Sequence, residues 1–396
     1  MRDYEGYFAP VAMNLASGKG LVTENGGIAT LYPPGYPMML AVLIHLADWT
    51  GIAYEIWVEF FTLASVAIAA VLLFNLAWRI LGVRCAWITA VLWMSYPSTL
   101  WLSKQPSSDT AFLPFFYGAL LLSLPLLLDE SDSLALTAGV GVLLGIAVLI
   151  RPIALFAAPL LALCLAYYGS RESWSWRLRP AVVLLIAYGA VLLPWEVWVW
   201  QRTGKWIPVS TNGPASVADG LTQVVSLRGY RFPIEVPVGV RAIMEEAQAR
   251  LKERRLQTRG DVLEFFGEAA RDRPLQFAQL LWWKAKRAWY GTNSQRSEET
   301  WLGWMHAAYM ILSIAGALLL WQGPVGGRRW LVVSGVLVFY YWGMTVLVLS
   351  IVRYMLPAIG LLFVWQAVVF ERGWERLSLK RHLGWFGRER RRVASN

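Results

Sequence analysis

Nine long apolar stretches, at 57–78, 85–101, 110–128, 134–150, 152–169, 180–200, 303–321, 330–349 and 354–370, alternate with polar turns along the chain. Each has the length, about 17–25 residues, that a helix needs to cross a bilayer. The pattern therefore predicts an all-α, polytopic membrane protein with nine transmembrane helices. A tenth stretch, 37–49, is interrupted by Pro37, His45 and Asp48. At about 13 residues it is short for a hydrocarbon core of roughly 30 Å, and it is predicted to be an interfacial or re-entrant helix.

Charge orients this series. The tail carries Arg372, Arg376, Lys380, Arg381, Arg388, Arg390, Arg391 and Arg392 and is predicted to be cytoplasmic. Counting back, the turns holding Arg328 and Arg329, Arg171, Arg177 and Arg179, and Arg79 and Arg84 all fall on the same inner face. The division that follows is 1–56 as an outer loop with the interfacial helix and 57–200 as six spans. Then come 201–302 as an outer loop region, 303–371 as three spans and 372–396 as a basic inner tail. Within 201–302, a turn-rich start at Ser210-Thr211-Asn212-Gly213-Pro214 precedes helical character over 241–256 and 261–289, broken near Arg273-Pro274. Its low aliphatic content argues against an independent core, and Trp282-Trp283-Lys284-Ala285-Lys286 reads as an amphipathic helix on the headgroups. The acidic run Asp129-Glu130-Ser131-Asp132 falls on the inner face as a solvated turn.

Composition supports a membrane class. Of 396 residues 57% are hydrophobic and 16% charged, with mean hydropathy +0.45. The chain holds 23 tryptophans, several clustered at span ends (Trp49, Trp57, Trp101, Trp195, Trp198, Trp200, Trp282, Trp283, Trp301, Trp304) as interfacial anchors would be. The net charge of +10 lies mostly in the tail and inner turns, as topology requires, which argues against nucleic acid as a partner. Cys85 and Cys164 sit in or beside apolar stretches, so no structural disulfide is expected. His45, His306 and His382 are scattered, with no cluster at metal-ligand spacing. No P-loop and no dinucleotide-binding glycine motif occurs.

The polar oddities collect on the outer face. Asp3, in Arg2-Asp3-Tyr4-Glu5-Gly6-Tyr7, precedes a short surface helix ending at Gly18; the Asp-x-x-x-Tyr spacing places Asp3 and Tyr7 on one helical face. A carboxylate there suits a general base, against the plainer reading of a solvated group near a frayed end. Arg151 beside Pro152, and Arg353 beside Tyr354, are outer-face arginines wedged between spans. Each is either a snorkelling side chain or a cation for a lipid phosphate; Tyr354 either bonds that phosphate or belongs to the aromatic belt. Asp109 is either a helix-start carboxylate or a second acid facing Asp3 that orients the acceptor or binds a cation. Lys19 is a loop charge, with phosphate contact as its functional alternative.

In this order the pieces resemble the GT-C superfamily of membrane glycosyltransferases that use polyprenyl-phosphate sugars, and within it glycosyltransferase family 39, which holds protein O-mannosyltransferases and lipid A aminoarabinose transferase. They are Asp3-x-x-x-Tyr7 with Gly18-Lys19-Gly20, Pro33-Pro34-Gly35-Tyr36-Pro37, Tyr96-Pro97 with Ser108-Asp109, and Gly145-x-x-x-Leu149-Ile150-Arg151-Pro152. Pro194-Trp195 leading to Ser210-Thr211-Asn212-Gly213, and Arg353-Tyr354-x-x-Pro357, complete the set. The resemblance implies Asp3 as the catalytic carboxylate of a first outer loop, and a lipid-phosphate site at Arg151 and Arg353. It implies a polyprenyl-phosphate sugar donor, a glycolipid, glycan or protein acceptor, the bilayer as setting, and no cofactor. Such proteins place a span before the catalytic loop, so a helix upstream of Met1 is expected. Trp198-Val199 stand where many relatives have Arg-Asn after Pro-Trp, and no acidic residue closely precedes Arg353. A transporter or flippase of lipid-linked or small polar substrates is the alternative from another class; it predicts polar groups at mid-membrane and broken helices. A non-catalytic membrane subunit is the third.

Overall fold

The structure is a computed structural model that describes residues 3–168, 174–226, 236–292 and 297–393, without side chains at 174–177, 223–226, 297–298 and 377–393. The expected basic turn at Arg171 and Arg177 and the tail side chains from Lys380 onward lie outside that description. The described chain is helical, as expected, with no strand beyond an isolated bridge between Val22 and Ile28.

A π-helical turn, Tyr4–Phe8, runs into α1 (Ala9–Ala16), and a loop leads to α2 (Gly35–Thr50). Then come α3 (Tyr54–Leu81), α4 (Val83–Ser95), α5 (Pro97–Leu102), α6 (Ser108–Ala111), α7 (Leu113–Leu127), α8 (Leu134–Ile150), α9 (Ala157–Tyr168) and α10 (Trp174–Thr203). The loop region folds as α11 (Asn212–Ser226), α12 (Val238–Lys252), α13 (Arg259–Asp272) and α14 (Pro274–Arg287). The chain closes with α15 (Ser297–Gln322), α16 (Val325–Leu347) and α17 (Leu356–Val393).

Among the described residues, six segments are long and apolar enough to cross a membrane: Tyr54–Leu81, Ser108–Leu127, Leu178–Thr203, Glu299–Gln322, Val325–Leu347 and Val352–Arg376. The protein is thus an integral membrane protein. The other three predicted spans appear as shorter apolar helices, Val83–Ser95, Leu134–Ile150 and Pro152–Tyr168. The stretch 85–101 is divided because Pro97 forces Tyr96 into an extended conformation, ψ 125°.

The last span is the central one, with 83% of its apolar window buried against 22% for α15. Gly141 and Gly145, one turn apart on α8, bring that helix against α10. A Cβ at Gly141 would lie 2.3 Å from the Leu184 carbonyl oxygen, and one at Gly145 would lie 2.7 Å from Val191 Cβ. Small residues four apart allow such backbone approach in membrane bundles.

Several expectations need correction. Residues 210–214 are not an open turn: Asn212 begins α11, with Gly213 and Pro214 in its first turn, where a missing N–H costs nothing. The loop region does have its own core, built on Leu221, Val240, Ile243, Met244, Phe265 and Leu280, separate from that of the bundle. Amphipathic helices supply it, so few aliphatic residues suffice when all share one face. The expected headgroup helix α14 buries two of its basic groups, Lys284 and Arg287, while Trp282 and Lys286 are exposed. The acidic turn is not merely solvated: Glu130 pairs with Arg79 at 2.7 Å and Asp129 pairs with Arg329. These contacts put three of the loops predicted to share a face at one end of the bundle. The boundary drawn at 372 falls inside α17, which continues unbroken to Val393.

Candidate active site

At the opposite end, a cavity of about 150 Å³ opens between the N-terminal turn, the α8–α9 junction, the start of α11 and the end of α16. Asp3, Tyr32, Ser108, Arg151, Asn212 and Tyr354 contribute to its wall. Whole ligand pockets run to about 300–1,000 Å³, so this one is scaled to the reacting end of a ligand.

Arg151 terminates α8 because Pro152 follows it; its backbone leaves the helix at φ −143°, ψ 109° while its N–H still bonds Ala147. The side chain then crosses to α6. One terminal nitrogen meets Asp109 Oδ1 at 2.5 Å, and the other donates to Ser108 Oγ at 2.9 Å. Asp109 is held in turn by the cap of α6: Ser107 Oγ accepts the Asp109 N–H at 3.0 Å and donates to its Oδ2 at 3.1 Å. Arg353 Nε approaches the same Oδ2 at 3.8 Å. The Tyr354 ring lies against both cations, 4.9 Å from the Arg151 guanidinium carbon and 5.2 Å from that of Arg353, within cation–π range. One buried carboxylate therefore faces two guanidiniums, leaving one positive charge uncompensated within this trio.

Asp3 lines the cavity with an exposed side chain. Tyr32 lines the same cavity and feels the charges of Asp3 and of both arginines. Burial raises the Tyr32 hydroxyl above its usual range, the charge of Asp3 adds to this, and Arg151 and Arg353 oppose it. Asp219 on α11 is also raised, first by the packing around it and then by the like charge of Asp3.

The motif spacings acquire a physical meaning here. Gly35 packs directly on the end of α8, where a Cβ would lie 2.6 Å from the Leu149 carbonyl oxygen, so the Pro-Pro-Gly block abuts the residue pair before Arg151. Trp195 Nε1 donates to the Val209 carbonyl at 2.8 Å, and the Val209 N–H donates to Glu196 at 2.7 Å. The two bonds hold Val209 at φ 63°, a left-handed conformation costly for a β-branched residue. Ser210 follows at the cavity wall, and Thr211 bonds the Thr30 carbonyl through both its N–H and its hydroxyl.

Of the sequence candidates, Asp3, Arg151 and Tyr354 line the cavity, and Asp109 and Arg353 form the ion network behind it. Tyr7 and Lys19 are not among the lining residues. The π-turn, closed by the Ala9 N–H on the Tyr4 carbonyl, is wider than an α-turn. Asp3 is exposed at the cavity, whereas Tyr7 is buried against Phe8 and Tyr32, and its hydroxyl accepts the Tyr32 N–H at 3.4 Å. Lys19 sits on an exposed turn between two positive-φ glycines. The surface helix α1 is in fact buried on one side through Val11 and Ala12. Tyr32, Ser108, Asn212 and Ser216 escaped the sequence reading; Ser108 and Asn212 lie within its quoted motifs and Tyr32 directly precedes one, but nothing in residue type marked them out.

The Asp109 oxygens are engaged by Arg151, Arg353 and Ser107. Among the described residues no group of three or more His, Cys, Asp or Glu side chains is placed to hold a metal ion.

No protein-family model and no curated protein matches the chain. Two solved structures are similar to it, both of ArnT from Cupriavidus metallidurans, one bound to undecaprenyl phosphate and one in the apo state. Their identities are 15% and 13%, each with a TM-score of 0.41, covering 91% and 92% of this chain and 72% of theirs. At these values the two are similar to this chain, and no residue-by-residue correspondence follows.

Proposed function

We propose that the chain is a GT-C-type membrane glycosyltransferase of the family 39 kind. It moves a sugar from a polyprenyl phosphate to an acceptor hydroxyl at the outer face, with inversion. The observation that carries this reading is that Asp3, Arg151 and Tyr354, from three distant parts of the sequence, line one small cavity with Arg353 against Tyr354 behind it. The basic turns at the opposite end of the bundle support an outer-face site.

In this mechanism the Asp3 carboxylate takes the proton of the acceptor hydroxyl, whose oxygen attacks the anomeric carbon opposite the phosphate. The bond from that carbon to the phosphate oxygen breaks, and its electron pair leaves with the polyprenyl phosphate. Arg151 and Arg353 stabilise the departing anion. Their guanidiniums are already ordered by Asp109, Ser108 and Tyr354, so little reorganisation accompanies charge development. The acceptor class is a glycolipid, glycan or protein hydroxyl.

Asp3→Asn keeps the shape of the site but removes the base. Transfer of labelled sugar from a polyprenyl-phosphate donor in purified membranes is expected to fall by about 10²–10⁴-fold, with undecaprenyl phosphate binding retained. Unchanged turnover in that variant refutes the assignment. A transporter receives less support, because the buried amide of Gln366 is engaged in helix contacts: its Nε2 donates to Tyr309 O at 3.1 Å and Ser313 Oγ at 3.0 Å.

A further inference from the structure

Lys284 on α14 has no place in the mechanism above, yet it is 1% exposed. Its ammonium is bonded to the end of another helix: Nζ donates to the Val348 carbonyl at 3.1 Å and lies 3.5 Å from that of Leu347. Among the described residues no carboxylate pairs with it. Burial, with Arg287 adding to the effect, lowers it to about 7. A lone buried ammonium is costly, and an apolar side chain of similar volume usually serves stability as well or better. Its presence at this point asks for a reason other than stability.

The contacts around it supply one. Val348 ends α16 and lines the cavity together with Met344, and the crossover 348–352 leads directly into Arg353 and Tyr354. The loop domain grips that crossover at several points. Gly220 on α11 comes so close that a Cβ would lie 1.6 Å from the Val348 carbonyl oxygen and 3.1 Å from Lys284 Nζ. Gly291, just past α14, leaves 2.4 Å between an added Cβ and the Ser350 carbonyl oxygen, while its own carbonyl accepts the Val352 N–H at 2.9 Å. Trp342 Nε1 donates to the Ala285 carbonyl at 2.9 Å. The same domain sends Asn212, Gly213 and Ser216 into the cavity from the start of α11.

We propose that Lys284 is a positioning residue, bolting the outer helical domain to the end of α16 so that the crossover presents Arg353 and Tyr354 to the cavity. The ammonium suits this task because its positive charge meets the negative end of the α16 dipole and two carbonyls that the helix leaves unbonded. The proposal rests on the glycosyltransferase reading for its catalytic consequence, but the clamp itself is a separate physical claim.

The test uses the full chain in lipid nanodiscs as wild type, Lys284→Met and Lys284→Gln. It measures unfolding midpoint, steady-state transfer, undecaprenyl phosphate binding and amide hydrogen exchange over 345–354. Lys284→Met is expected to unfold at the wild-type temperature or above, while exchange over 345–354 quickens. Its turnover should fall by up to about 10²-fold, the scale of an ångström-level misplacement, and lipid-phosphate binding should weaken. Lys284→Gln, whose amide can donate to the same carbonyls, should recover part of the turnover and protection. Wild-type exchange and turnover in Lys284→Met overturn the proposal, as does a fall in midpoint that tracks activity with no recovery in Lys284→Gln. If the wild-type chain transfers no sugar but the exchange and midpoint results hold, the clamp stands and the catalytic reading fails.

Discussion

Asp109 is the residue on which the arginine pair depends. Its carboxylate is 5% exposed and answers two guanidiniums, each 12% exposed. Asp109→Asn keeps the shape but leaves the cations facing each other, and breaking such a pair costs roughly 3–5 kcal/mol. Denaturant or thermal unfolding in nanodiscs should register that loss, where a surface pair such as Arg79–Glu130 contributes about 0–1 kcal/mol. Arg151→Lys should also impair lipid-phosphate binding, since an ammonium cannot span Asp109 and Ser108 and lie against Tyr354 as a planar guanidinium does. Lys284 adds a pH dependence whose sign follows from its depressed value of about 7 against an ordinary 10.5. The unfolded chain binds more protons between these values, so this group makes stability rise as pH climbs through that window. Its contribution is lost as pH falls through about 7. Lys284→Met should flatten the slope of unfolding midpoint against pH between 7 and 10.5.

Elements hold the site through backbone contacts that side-chain variation cannot relieve. Gly35 is the clearest case, because the atom its Cβ would strike is the carbonyl of Leu149 rather than the end of a flexible chain. Gly35→Ala should displace the start of α2 or the end of α8, and with it Arg151. Transfer activity is expected to fall more than the unfolding midpoint does, and equal retention of both would show that the junction can yield. The hydrogen bonds of Trp195 and Glu196 to Val209 join α10 to the chain that starts α11. That link brings Pro194-Trp195 next to the chain that leads into Ser210-Thr211-Asn212.

Across the whole molecule, charge and chemistry occupy opposite ends of one bundle. The ion pairs of Arg79 and Arg329 mark one end; Asp3, Arg151 and Arg353 mark the other. Both free cysteines, Cys85 and Cys164, are buried, so single engineered thiols report topology with little background. Ser216→Cys, at the cavity, should react with a membrane-impermeant thiol reagent added to intact cells, and Ser131→Cys should react only after permeabilisation. The reverse pattern would invert the proposed orientation. The central burial of α17 also places Arg353 and Tyr354 at the head of the least lipid-exposed of the described spans.

The bundle was legible in the sequence because spanning a bilayer demands runs of apolar residues, a condition local enough to read directly. The break at Arg273-Pro274 was likewise visible, since proline acts on its immediate neighbours. The selection of Asp3, Arg151 and Arg353 came from residue type and position against the expected charge pattern, together with a family resemblance. Their convergence depended on how loops from distant spans pack, as did the exclusion of Tyr7 and Lys19 from the cavity wall. The independent core of the loop domain and the burial of Lys284 escaped for the same reason. Periodicity marks one apolar face per helix, but only tertiary packing decides whether that face meets another helix or the headgroups, and which polar groups it carries inside.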